Sequence, residues 1–158
     1  MSPLAYQGDD YPEASKKHLA DATVLSGGGR HDGSAYHAGY VVECALKSVL
    51  LHEASWDDRA RVHDRKKLAR EQARLRDEVG HLPGNLLDEV ARVYAVATSQ
   101  SKRYLPNLSK QAAIREWRPS LRYQPSGEVA PVQAQAMLKE ALDTYTRTVR
   151  QMYLDGVL

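Results

Sequence analysis

The stretch that decides the fold is AYHAGYVVECALKSVLLHE, which covers residues 35–53. Its apolar side chains recur at helical spacing and cover nearly the whole circumference of a helix. Glu43 and Lys47 stand near its centre, and the apolar run around them is too short to span a bilayer. A helix of this kind needs neighbours on several sides. The sequence therefore predicts a buried central helix from Ala35 to Glu53, with Ser34 as its N-cap.

Helical periodicity also marks segments before and after this central helix. The predicted helices are Tyr11–Ser26, an exposed helix between Trp56 and Gly80, a helix from Pro83 to about Ala97 that fades into Ser99–Ser101, a short helix around Lys110–Trp117 and a last helix from about Pro131 to Leu154. No segment shows the apolar–polar alternation of a strand. Short connections make sequential helices antiparallel. We therefore predict an all-α, up-and-down helical bundle of about five helices, without a sheet.

Composition is that of a globular protein and not of a disordered or membrane-spanning chain. Of the 158 residues 42% are hydrophobic and 27% are charged, close to globular averages. Cys44 is the only cysteine, which excludes an internal disulfide framework and favours a reducing compartment. The first ten residues carry neither the basic nor the apolar region of a signal peptide. We expect a cytoplasmic protein with no membrane contact.

Spacing gives little support to metal or nucleophile chemistry. The six histidines (18, 31, 37, 52, 63 and 81) include no pair four residues apart and no acidic motif at metal-ligand spacing. The Gly27-Gly28-Gly29-Arg30 segment lacks the preceding strand and the Gly-Lys-Ser/Thr ending of a phosphate-binding loop, so it indicates a flexible helix connection. We predict neither a bound metal nor a cofactor, and Cys44 as a small core residue.

A basic stretch is the strongest intrinsic pointer to a partner. Residues 59–76 carry eight basic and two acidic side chains, a local charge of +6 in a chain whose net charge is +2. Clustered Lys and Arg bind phosphates by releasing counterions. The candidate RNA-binding residues are Arg59, Arg61, Arg65, Lys66, Lys67, Arg70 and Arg74. The alternative is a solvated helix with pairs three residues apart, such as Asp64 with Lys67 and Glu71 with Arg74.

Three segments together resemble one family. Residues 35–47, AYHAGYVVECALK, are similar to the signature helix of HEPN domains (higher eukaryotes and prokaryotes nucleotide-binding), which carry a small and aromatic run into Glu-x-Ala-Leu-Lys. His81-Leu82 resembles the family's His-x-Leu, and residues 117–123 resemble its Trp…Arg-Tyr segment before the last helix. The resemblance implies a single HEPN-like helical domain over residues 1–158, with a core of about residues 11–154.

The resemblance implies an enzyme as one alternative. Many HEPN domains are metal-independent ribonucleases with Arg, four to six residues, then His, shared across a dimer cleft. Histidine acts there as general acid or base, and arginine stabilises charge on the phosphate. Arg76 with His81 is the candidate catalytic pair, and Arg74 with His81 and Arg30 with His37 are further matches. At the family's usual motif position this chain instead carries Arg122-Tyr123.

The other alternative, which we prefer, is binding without catalysis. The resemblance implies an accessory domain for RNA, a nucleotide or a nucleotidyltransferase partner protein, in a prokaryotic toxin–antitoxin or defence system. The candidate ligand-binding residues are Glu43, Lys47, Arg122 and Tyr123. Glu43 and Lys47 are alternatively a partly buried ion pair that fixes helix register. The resemblance and the number of apolar helix faces also predict a homodimer through the central or the last helix.

Overall fold

The computed structural model describes residues 1–96 and 101–158, and helices dominate it. The helices are α1 (Tyr11–Gly27), α2 (His31–Ser55), α3 (Arg65–Arg74), α4 (Pro83–Ala95), α5 (Ala112–Arg115), α6 (Pro131–Tyr145) and α7 (Gln151–Leu154). Turns of π-helix follow α3 at Leu75–Val79 and α6 at Thr146–Arg150, and 3-10 turns lie at Ser101–Tyr104 and Pro119–Tyr123. The predicted all-α fold is confirmed. Ala97 and Ser99, predicted near the end of the fourth helix, lie outside the described residues.

The central position predicted for α2 is confirmed by its packing. It contacts α1, α3, α4 and α6, and every residue from Val41 to His52 is buried. Cys44 is among them, with 6% of its surface exposed. The predicted start of the helix is wrong, because α2 begins at His31 and Ser34 lies inside it. The Ser34 hydroxyl donates to the Ala22 carbonyl oxygen of α1 at 2.9 Å instead of capping α2.

The first two helices form a hairpin with a defined register. The Asp10 carboxylate caps α1 by accepting a hydrogen bond from the Glu13 N–H at 3.4 Å. The chain reverses at Gly29, whose φ of +70° favours glycine. Inside the hairpin the buried Ser15 hydroxyl donates to the Val41 carbonyl oxygen at 2.9 Å. This hydrogen bond and the one that Ser34 donates to Ala22 fix the position of α1 along α2.

A short antiparallel ladder follows α2, where the sequence predicted no sheet. Strand β1 (Trp56–Asp57) pairs with β2 (Val62–His63). The Asp57 carboxylate stabilises the connection by accepting hydrogen bonds from the N–H groups of Arg59 and Ala60, both at 2.9 Å. The prediction is wrong here because strands of two residues carry no alternation that a sequence pattern can reveal.

Helix α3 begins and ends at residues with clear local roles. The Asp64 carboxylate caps it by accepting from the N–H groups of Lys66 and Lys67 at 2.9 and 3.0 Å. Asp64 therefore serves as a cap and is not the side-chain ion partner of Lys67. The helical segment ends after the π-helical turn at Gly80, as predicted, and the φ of Gly80 is +85°. Pro83 then starts α4 in its first turn.

The C-terminal half places one large aromatic side chain against α2. The two 3-10 turns and α5 lie in the segment between α4 and α6. Trp117, in the same segment, is completely buried. Its indole N–H donates to the Tyr36 carbonyl oxygen at 3.2 Å, and its ring lies directly over Gly39. The last helical segment runs from Pro131 to Leu154 as predicted, with a π-helical turn between α6 and α7. None of the described helices is both long enough and apolar enough to cross a membrane.

Candidate functional site

Three ionisable side chains meet at one point on the surface of the central helix. Lys47 Nζ lies 2.8 Å from Glu43 Oε1 and 3.0 Å from His81 Nδ1, and His81 Nδ1 lies 2.8 Å from the same Glu43 oxygen. The Glu43 and Lys47 side chains are 6% and 1% exposed, whereas that of His81 is 60% exposed. We call these three residues the acid–base cluster. The solvent-accessible imidazole of His81 thus contacts the buried Glu43–Lys47 ion pair through its Nδ1 atom.

The local structure explains how each member reaches this point. Glu43 and Lys47 are one turn apart on α2, with the acid nearer the N-terminus, the favourable order for a pair. His81 lies in the short connection between the π-helical turn and α4, directly after Gly80, and this connection places it beside α2. The Tyr11 ring covers the ammonium group of Lys47 at 5.0 Å from the ring centre. Burial raises the pKa of Tyr11, so its phenol stays neutral beside the pair.

The second oxygen of Glu43 is the unusual feature of the acid–base cluster. Glu43 Oε2 is buried and has no hydrogen-bond partner within the part of the chain that the structure describes. A buried carboxylate oxygen without a donor costs free energy of about 1–3 kcal/mol. Such a cost is expected where a group is held ready for a ligand or for a proton, so this atom marks the cluster as a candidate site.

The contacts of His81 define what the acid–base cluster can do chemically. With the proton on Nδ1, His81 donates to Glu43, and its Nε2 is a base directed away from that bond. With Nδ1 unprotonated, it accepts from Lys47 instead, and Nε2–H is a proton donor. Either arrangement leaves Nε2 without a protein partner among the described residues. The cluster can therefore hold a phosphate oxygen or move a proton to or from a ligand.

The structure regroups the residues that the sequence singled out. His81, assigned to catalysis, joins Glu43 and Lys47, which were assigned to ligand binding. Arg122 and Tyr123 lie in the exposed 3-10 turn that packs near α2, with the Arg122 guanidinium 5.9 Å from the Tyr123 ring centre. Within the described ranges no hydrogen bond or ion pair links them to Glu43 or Lys47. The four residues therefore do not form one directly bonded group.

The arginine proposed as the partner of His81 has a contact of its own. Arg76 Nε pairs with Asp77 Oδ1 at 2.8 Å, and both side chains are 62% exposed. This hydrogen bond to Asp77 raises the pKa of Arg76, which keeps its charge in any case. An exposed pair of this kind contributes little to stability, so a phosphate can replace Asp77 as the partner. In the other match, Arg30 occupies the N-cap position of α2 and His37 contacts His18.

Two of the seven candidate RNA-binding residues are committed to the fold. Arg65 donates to two backbone carbonyl oxygens near the N-terminus, at 3.2 and 2.9 Å. Arg74 is paired with Glu71 and Glu89 at 2.6 and 2.8 Å. The pair with Glu71 is the one that the alternative interpretation predicted. The other five are exposed and have no carboxylate at ion-pair distance among the described residues; we call them the basic surface, and they are Arg59, Arg61, Lys66, Lys67 and Arg70.

Sequence reasoning found the spacing of Glu43 and Lys47 but not the grouping with His81 and Tyr11. Both contacts join residues far apart in the chain, and no local pattern reports them.

In the comparison with protein families, the model of the HEPN domain family matches residues 9–142. Neither the search of curated proteins nor that of solved structures gives a significant match.

Proposed function

The chain belongs to the HEPN domain family, which supports a role related to nucleotides or RNA, and we propose that it binds RNA through its basic surface. The observation that carries the proposal is that five cationic side chains within residues 59–70 are not used by the fold. Arg65 and Arg74 have internal partners, and among the described residues the other five have no carboxylate at ion-pair distance. Phosphate groups are the partners that such a cluster attracts, since each contact releases counterions.

The position of the basic surface fits this proposal. Helix α3 carries Lys66, Lys67 and Arg70, and the same helical segment leads through its π-helical turn to His81. A strand of RNA bound along α3 is therefore directed towards the acid–base cluster. On the buried side of α3 the Gln72 amide donates to the Tyr6 carbonyl oxygen at 3.5 Å, so the opposite side of the helix is the one open to a ligand.

Charge reversal on α3 tests the proposal. We expect the triple variant Lys66→Glu, Lys67→Glu and Arg70→Glu to lose affinity for a short fluorescein-labelled oligouridylate in fluorescence anisotropy. Each lost phosphate contact lowers the slope of log affinity against log salt by about 0.7, so three lower it by about 2. The matched control reverses Lys16, Lys110 and Lys139, which are exposed, lie elsewhere and change the net charge equally.

The outcomes distinguish RNA binding at the basic surface from an effect of net charge alone. Retained binding in the control with loss in the α3 variant supports the basic surface. Equal loss in both triples contradicts it, because the affinity then follows net charge alone. If the wild type does not retain the RNA even at low salt, the RNA proposal fails, and a nucleotide or a partner protein such as a nucleotidyltransferase becomes the ligand to test.

One observation favours a second function, cleavage of the bound RNA. The acid–base cluster holds an exposed imidazole against a buried Glu43–Lys47 pair, as a positioned general acid or base requires. In this proposal His81 Nε2 takes the proton of the ribose 2′-hydroxyl or gives one to the departing 5′-oxygen. Arg76 leaves its pair with Asp77, binds the phosphate and stabilises the charge on it.

Cleavage and binding are separable by mutation. We expect His81→Ala to abolish cleavage of the oligouridylate in EDTA and to leave its affinity unchanged, because proton transfer acts in the transition state. His31→Ala, at the first position of α2 and outside the cluster, is the matched control and should cleave normally. Absence of cleavage by the wild type, or cleavage that survives His81→Ala, refutes the enzymatic proposal and leaves the binding proposal intact.

A further inference from the structure

A second group of ionisable side chains lies between α1 and α2, apart from the acid–base cluster. It consists of His18 and Asp21, three residues apart on α1, and His37 on α2. His18 Nδ1 and His37 Nδ1 are 3.0 Å apart, and Asp21 Oδ2 lies 3.9 Å from His37 Nδ1. The three ligand atoms all lie within 4.8 Å of one another. Two imidazole nitrogens and one carboxylate oxygen thus lie close together.

These distances are close to those of a coordination sphere. Two nitrogens on a tetrahedral zinc ion are about 3.4 Å apart, since each lies about 2.05 Å from the metal. The two histidine nitrogens therefore need to separate by only a few tenths of an ångström, whereas the Asp21 carboxylate, whose Oδ2 lies 3.9 Å from His37 Nδ1, must come closer by about half an ångström or more. The Asp21 side chain is 44% exposed, so it has room to change its rotamer towards His37.

The surroundings hold the two imidazoles in place. The Tyr40 ring is stacked on His18 at 5.2 Å between ring centres, and the Tyr36 ring meets the edge of His37 at 5.5 Å. Tyr36 and Tyr40 in turn contact the buried Trp117. His37 and Asp21 are 24% and 44% exposed, so an ion and a water molecule can reach the ligand atoms from solvent.

We propose that His18, Asp21 and His37 form a binding site for one divalent transition-metal ion of the zinc type. Two neutral imidazoles and one carboxylate suit such an ion, and a fourth position stays open to water. The sequence predicted no metal, because 19 positions separate the two histidines and neither helix alone holds a full ligand set. The ion joins α1 to α2 on the face that carries Tyr36 and Tyr40. It therefore stabilises the hairpin and takes no part in the proposed RNA contacts.

Metal titration of the full chain tests the site. After treatment with a chelator and dialysis, the wild type should bind one Zn²⁺ per chain in calorimetry, and Co²⁺ should give the visible absorption of a four-coordinate ion. His18→Gln and His37→Gln should each weaken Zn²⁺ binding by about tenfold or more and remove that absorption. Asp21→Asn, which keeps the side-chain shape, should also weaken binding. His31→Gln is the matched histidine control and should bind like the wild type.

Two results overturn the site. One is a wild type that binds no Zn²⁺, and the other is equal Zn²⁺ affinity in the wild type and in the double variant His18→Gln/His37→Gln. Circular dichroism of each variant checks that it is folded. If a histidine variant fails to fold, Asp21→Asn decides the matter, because its exposed carboxylate has no hydrogen-bond partner among the described residues and its loss leaves the packing unchanged.

Discussion

Gly39 is the residue at which a single added methyl group should have the largest effect on stability. A Cβ atom at this position would lie 2.0 Å from Cε2 and 2.2 Å from Nε1 of Trp117. Carbon atoms in contact are normally about 3.5–4.0 Å apart, so the indole must move by about 1.5 Å or more. Trp117 is completely buried and donates to the Tyr36 carbonyl oxygen, so a movement of the indole disturbs its packing and this hydrogen bond.

The magnitude of the effect of Gly39→Ala follows from these contacts. Overpacking of a core costs about 1–3 kcal/mol. Loss of the indole hydrogen bond adds about 1 kcal/mol. Alanine recovers about 0.5–1 kcal/mol through its higher helix propensity. We therefore expect the free energy of unfolding to fall by about 2 kcal/mol, measured by urea denaturation with far-ultraviolet circular dichroism.

A control glycine and a coupled variant make this prediction specific. Gly27→Ala places its Cβ at the end of α1, where no atom of the described residues lies within 4 Å, and should leave stability unchanged or raise it by up to about 1 kcal/mol. Trp117→Phe should relieve part of the clash, so the double variant with Gly39→Ala should lose less than the two single losses together. A Gly39→Ala protein as stable as the wild type would refute the reasoning.

Three further predictions concern charge and surface. Lys47→Met should lower the free energy of unfolding by about 3 kcal/mol because it leaves the buried Glu43 carboxylate with the exposed His81 imidazole as its one remaining partner among the described residues, and Glu43→Gln in the same chain should restore much of that loss in urea denaturation. Burial and the nearby His63 lower the pKa of His52 to about 4, so the unfolded chain binds more protons than the folded one from about pH 6.5 down to about pH 4. Stability should therefore fall as the pH is lowered through that window, and the fall should be smaller in His52→Gln. If the homodimer predicted through the central or the last helix forms through the last one, Leu142, an exposed apolar side chain of α6, is a residue to test: light scattering should then give twice 17.6 kDa for the wild type and 17.6 kDa for Leu142→Glu.

Much of the fold could be predicted because it depends on periodicity and on chain-breaking residues. The central helix is apolar all round, Gly80 ends the basic segment, and the last helix starts at a proline. The start of α2 could not be predicted, because Ser34 is equally able to cap its own helix or to bind a neighbouring one. Only packing against α1 decides between them.

The candidate sites show the same limit more strongly. The pairing of Glu43 with Lys47 follows from a spacing of four residues, which a sequence displays directly. His81 reaches this pair from 34 positions beyond Lys47, and His37 reaches His18 across the α1–α2 hairpin. Both contacts depend on how helices are arranged in space. Local spacing contains no information about them, whatever the residue types.

The buried position of Cys44 gives the protein a built-in probe of its own opening. Burial in α2 raises the pKa of the Cys44 thiol to about 12, so in the closed bundle it is neither ionised nor accessible to an alkylating reagent. Labelling then requires a transient opening of the core, and its rate reports the population of open molecules when closing is fast. Because this is the only thiol, the kinetics of iodoacetamide labelling follow the motions of the central helix without any introduced cysteine.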